Sequence, residues 1–230
     1  MGVEGGFGDI DVDLGRPMSV DQELNIAALK LKSTPARPMF LNGGERSQVR
    51  FDELSASTPC ECERWNQDKL PFPPIGNRQS RLVFVTSAPL GYDYEHEKLF
   101  PPKTLAGDAY DSILESLSVQ RDQVYLTAAL YCQTVSRGDD ALSLMKCMRF
   151  KEEEFKELTK AQYFITLGSQ AFQMMTGIFG FSSSYLGYYY KINLFDRDAV
   201  VIPLPHPSAI AESQIALEKT LRVLEKLRKV

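Results

Sequence analysis

From residue 81 onward the chain alternates between two kinds of apolar pattern. Four short runs are almost continuously apolar and stop at small or turn-forming residues: RLVFVTSAP from Arg81, QVYLTAALYC from Gln123, AQYFITLG from Ala161 and AVVIPLPHPS from Ala199. Runs of this kind are strands buried on both faces of a sheet. Between them, apolar residues recur at helical spacing. Tyr110, Ile113, Leu114 and Leu117 predict a helix over residues 108–118, and Leu142, Met145, Met148, Phe155 and Leu158 predict one helix or two over residues 141–160. SQAFQMMTGI opens a third at Gly168, with Ser169 as its cap. Residues 215–230 form an amphipathic helix with a basic end. Strands alternating with helices predict an α/β fold, a three-layer α/β/α arrangement around a central four-stranded, mostly parallel sheet. Ligands of such sheets bind at the carboxyl ends of the strands. Here those ends are residues 87–91, residues 127–132, Gly168, and the turn from His206 to Ser208.

Residues 1–58 break this rhythm with Gly-rich and acidic patches, several prolines and a single helical candidate over residues 21–32. They read as a partly irregular N-terminal extension, with the α/β domain spanning residues 59–230. A chain of 230 residues with 43% hydrophobic composition can bury a substantial core. No apolar run approaches the length of a membrane span, and the acidic start MGVEGGFGDIDVDLG does not read as a signal peptide. The expectation is an intracellular protein, in the cytoplasm or a DNA-containing compartment, with no membrane partner. The net charge is −4, of which residues 1–58 carry −3 and the remainder −1. That balance argues against nucleic-acid binding by bulk positive charge and leaves room for a local basic groove.

Four cysteines are too few for a disulfide scaffold and fit a reducing compartment. Cys60 and Cys62 form a tight pair; Cys132 and Cys147 follow 70 and 85 residues after Cys62. A close pair plus two distant singles suits the convergence of soft sulfur ligands on an iron–sulfur cluster or zinc. Equally, the four can be unrelated buried thiols, and C-x-C is a less usual pair than C-x-x-C. Spacing alone leaves both readings open.

The strand-end segments, taken in order, resemble the uracil-DNA glycosylase superfamily, and most closely its iron–sulfur branch, family 4. VFVTSAPLG resembles the family's strand and Gly-Glu-x-Pro-Gly turn, and KLFPPKTLAGDAYDSIL its Pro-Phe loop and following helix. QVYLTAALYC is similar to the strand ending in Thr-Asn-x-x-x-Cys, YFITLGSQAF to the Leu-Gly-x-x-Ala turn, and VIPLPHPSAI to the His-Pro-Ser motif. The likeness covers roughly residues 58–230. It implies that Cys60, Cys62, Cys132 and Cys147 hold a structural [4Fe-4S] cluster, with zinc as the runner-up, the shortened first pair being the one departure from the family's plan.

The resemblance also implies roles for individual residues. His206 would donate a hydrogen bond toward charge developing on the uracil oxygen, and Phe100 would lay its ring against a base flipped out of the duplex. Ser208, Ala209 and Ile210 would form the loop that enters the duplex, with Ile210 as an apolar wedge. The turn carrying Ser87, Pro89 and Gly91, and the helix start at Gly168 and Ser169, would meet DNA phosphates. Two positions depart from the family. Ser87 stands where the family has glutamate, and Ala128 where it has the asparagine that reads the base edge; alanine offers neither donor nor acceptor. Asp93, just past the turn, is a replacement acid able to orient a water. The expected function is therefore removal of uracil or a related deaminated base from DNA. The alternative is a catalytically inactive member of the fold that binds DNA or a protein, the latter through residues 1–58.

Overall fold

The computed structural model describes residues 71–133, 140–177 and 188–228. The expectations made for residues 1–70, including the helix over residues 21–32, Cys60 and Cys62, lie outside the described residues. So do residues 134–139, 178–187 and 229–230.

The four apolar runs become strands β2 (Leu82–Thr86), β3 (Tyr125–Ala128), β4 (Tyr163–Leu167) and β6 (Arg197–Leu204). They pair in parallel in the order β3-β2-β4-β6. Neighbouring residues within a strand face opposite sides of the sheet, which explains why the runs are continuously apolar. On one side Val83, Val85, Tyr125, Phe164 and Val201 pack beneath α3 (Asp140–Glu157) and α4 (Ser169–Thr176). On the other, Phe84, Leu126, Ile165, Leu167 and Ile202 pack beneath α2 (Leu105–Ser116), α5 (Pro207–Ala211) and α6 (Gln214–Arg228). This is the three-layer α/β/α arrangement expected of the sequence.

The sheet has six strands among the described residues, where four were expected. Two short antiparallel edges account for the difference. β1 (Ile75–Gly76) pairs with β3, and β5 (Tyr190–Leu194) pairs with β6. At Gly76 the backbone approaches the Val124 carbonyl so closely that an added Cβ would lie 2.1 Å from its oxygen. β5 and β6 form a hairpin around Phe195 and Asp196, both left-handed (φ 50° and 60°), and Asn193 Oδ1 accepts from the Asp196 amide at 3.2 Å. Two positive φ values in a two-residue loop match the twist of the strands. Because the turn lacks the usual Asn-Gly signal, its sequence does not announce a hairpin.

Other boundaries also move. α2 begins at Leu105, capped by Thr104 Oγ1, which accepts from the Gly107 amide at 3.0 Å. α3 is one helix. In α4, Ser169 is the first helical residue and makes no cap; Gly168 holds the cap position at φ 96°. A five-residue helix, α1 (Gly91–Glu95), follows β2 directly.

Candidate active site

After β2 the chain crosses to α2 on one side of the sheet, and after β4 it crosses to α4 on the other. The crevice between those two strand ends is where an open parallel sheet offers a site. Three strand ends converge there. A Cβ built at Gly168 would lie 2.7 Å from Ser87 Oγ and 3.4 Å from His206 Cβ, so only glycine lets the ends of β2, β4 and β6 approach this closely. Ser87 Oγ donates to the Leu167 carbonyl at 3.4 Å. Ala128, paired in register with Thr86, is buried at the end of β3.

His206 caps α5. Its Nδ1 accepts from the Ser208 backbone amide at 3.2 Å. An acceptor at Nδ1 places the proton of a neutral imidazole on Nε2, leaving one N–H to donate. Burial holds the imidazole pKa down to about 4, so the ring is neutral at physiological pH. The ring of Phe100 meets it edge to face, with centroids 5.4 Å apart, and Phe100 also packs on Tyr110 at 5.1 Å. Phe100 is 1% exposed, closed over in this conformation.

Asp93 is also buried, at 1% exposure. One carboxylate oxygen accepts from the Leu90 amide at 2.6 Å and the other from the Phe100 amide at 2.9 Å. Burial raises its pKa, and these two amides pull it back down. The water-orienting role expected of Asp93 therefore has no exposed carboxylate to work with. Ile210 departs from expectation as well. It is 1% exposed and packed in the core beneath α2, so it cannot enter a duplex without leaving that core. The exposed apolar residue of the His-Pro-Ser turn is Ala209, with Ser208 half-buried beside it. Pro89 lies two residues before α1 and Gly91 is its first residue.

Cys132 follows β3 and Cys147 lies on α3, and both are buried. Between these segments sits a charge cluster that the sequence reading missed. Lys151, fully buried, donates to Glu154 Oε2 at 2.7 Å and to Thr127 Oγ1 at 2.6 Å, and lies 3.6 Å from the centre of the Tyr131 ring. The Tyr131 hydroxyl donates to the same Glu154 oxygen. Burial lowers the Lys151 pKa, while Glu154 and then Cys147 oppose that shift. The signal was present in the sequence. Lys151 falls at helical spacing between Met148 and Phe155 on the apolar stripe, with an acid three residues on. No group of three or more His, Cys, Asp or Glu side chains suited to a metal occurs among the described residues.

Comparison with known proteins places these features in a family. The sequence model of the uracil DNA glycosylase superfamily matches residues 73–228. The chain is also 26% identical over 163 residues to the type-4 uracil-DNA glycosylase of Archaeoglobus fulgidus, a match covering 69% of this chain and 79% of that protein.

Proposed function

Because the chain belongs to the uracil DNA glycosylase superfamily, we propose that it hydrolyses the N-glycosidic bond of uracil, or a related deaminated base, in DNA. The observation that carries this reading is the state of His206. A half-buried, neutral imidazole whose Nδ1 is occupied by an amide has a single donor, Nε2–H. A fixed donor of this kind suits charge that develops on a uracil oxygen as the base departs, and it needs no reorganisation at the moment of reaction. Phe100, beside that ring, would supply the aromatic face for the flipped base on leaving its buried position. The turn at Ser87, Pro89 and Gly91, the start of α4 at Gly168 and Ser169, and the Ser208–Ala209 turn line the strand ends where the DNA backbone would lie.

Cys132 and Cys147, together with Cys60 and Cys62, would hold a [4Fe-4S] cluster. When bound, it supplies a structural tie between the loop after β3 and the segment preceding residue 71. An absorption band near 400 nm in anaerobically purified protein supports the cluster; zinc with no such band overturns it.

A second reading has its own support. Ala128 has no group to read a base edge and Ser87 is no acid, which fits a member of the family that binds DNA without cleaving it. Incubation with single- and double-stranded uracil DNA, scored for abasic sites beside His206→Ala, separates the two. Abasic sites that form with the wild type and fall steeply in the variant support the enzyme. A wild-type protein that binds DNA and leaves every deaminated base intact favours the second reading.

A further inference from the structure

We infer that Asp93 is a positioning residue, whose carboxylate holds Phe100 against His206 and so acts on the imidazole through that ring. For its catalytic consequence the inference rests on the function proposed above; its structural content does not.

The segment over residues 93–100 runs from α1 to Phe100. Glu97 and Phe100 are both left-handed there, at φ 53° and 51°, although neither is glycine. Such residues persist only where surrounding bonds over-determine them. Asp93 provides those bonds. Its carboxylate accepts from the Phe100 amide at the end of the segment and from the Leu90 amide just ahead of α1, and its own carbonyl accepts from the Lys98 amide at 3.0 Å. Amide bonds to a buried carboxylate are charge-assisted and strong. The amide held by Asp93 belongs to the residue whose ring covers His206, so the carboxylate sets where that ring sits. Around Asp93 the facing titratable groups are Tyr92, Tyr94 and His96, all on or beside α1. His206 is shifted by burial alone, and Phe100 is part of what buries it.

The test is the titration of His206 followed by proton–carbon NMR of the imidazole ring. The chain has two histidines, and His96→Gln separates the ring signals of His206 from those of exposed His96. In wild-type protein the His206 midpoint is expected near 4. In Asp93→Asn, which replaces one acceptor oxygen with a donor amide, it should rise by a unit or more toward the ordinary value of about 6.5. Phe100→Leu should produce a similar rise, and the double variant no more than the larger single effect. On uracil DNA, Asp93→Asn is expected to lower kcat by ~10- to 100-fold, the size of effect that misplacing a reacting group produces. A folded Asp93→Asn protein whose His206 midpoint stays put, while Phe100→Leu moves it, overturns the inference. Wild-type protein gives a second measurement should the variant not fold. The Phe100 amide proton is expected downfield, protected from exchange, and shifting as Asp93 titrates above its ordinary range. An unprotected, pH-insensitive amide overturns the inference equally. If wild-type protein leaves uracil DNA intact, the proposed function falls, and the NMR titrations still decide the role of Asp93.

Discussion

β3 carries two neighbouring residues, Thr127 and Ala128, that face opposite layers, and the two layers bury charge in different ways. Thr127 points toward α3, where Lys151 and Glu154 neutralise one another inside an aromatic wall. Ala128 points toward the layer of α2 and α5, where the buried charge is the lone carboxylate of Asp93, satisfied by two main-chain amides. In the first case the charges hold each other, and the gain is the fixed packing of α3 on the sheet. In the second a single charge holds backbone, and the gain is the shape of a loop. A buried ion pair tells of architecture, whereas a buried acid that organises main chain near a histidine tells of a site.

Substitution should expose the difference. The largest effect is expected in the ion pair. Lys151→Ala leaves Glu154 buried without its partner and should lower stability by about 3–5 kcal/mol in a denaturant melt. Lys151→Met combined with Glu154→Leu should recover most of that loss. A loss below about 1 kcal/mol for the single variant would show that the pair is not closed to solvent. On the other side, His206→Ala is expected to cut kcat by ~100- to 1,000-fold, the usual worth of one fixed donor to developing charge, and to cost about 1 kcal/mol in the melt through loss of the α5 cap. Ala128→Asn should cost about 1–3 kcal/mol, because it adds volume and two polar groups to a closed position. If the base-edge reading holds, the same variant gains discrimination for uracil, measured against thymine and hypoxanthine in the same duplex.

The smallest effect is with pH. The folded His206 pKa lies below its unfolded value, so its contribution to stability is fully present above about pH 6.5 and is lost as pH falls toward 4. The raised Asp93 pKa acts in the opposite sense, its contribution being present below its unfolded value of 3.8 and lost as pH rises through the folded one. Melts between pH 7 and 4 should therefore show a loss of stability that the Asp93 carboxyl partly offsets and that His206→Ala removes. The rate profile should show no inflection from His206 near pH 6.5; an inflection there would mean that the ring is open to solvent in the active protein.

The four central strands were legible because burial on both faces leaves an unbroken apolar run, a pattern that does not depend on distant contacts. β1 and β5 were not. β1 is two residues long, and β5 is joined to its partner through Phe195 and Asp196, residues with no turn signature. His206 and the turn around Ser87 were found by likeness to a family, and their convergence through Gly168 followed from the positions of the strand ends. The partners of Asp93 could not be read, because they are main-chain amides brought close by a left-handed loop, and an amide has no letter in a sequence. Ile210 misled for a related reason. Its place after His-Pro-Ser suggests a wedge, while its burial depends on α2, a helix formed a hundred residues earlier.

The sheet order has a consequence for how the chain is made. β2 lies between β3 and β4, and its register joins Leu82 to Tyr163, about 80 residues further on. At ~5–20 residues per second of synthesis, β2 waits roughly 4 to 16 seconds for that neighbour. Ser87 waits longer still for His206, about 120 residues downstream. By contrast, β5 and β6 can pair as soon as both have emerged, since two residues join them. The candidate site is thus among the last features to assemble, and until then β2 displays an apolar strand that a nascent-chain chaperone would be expected to cover.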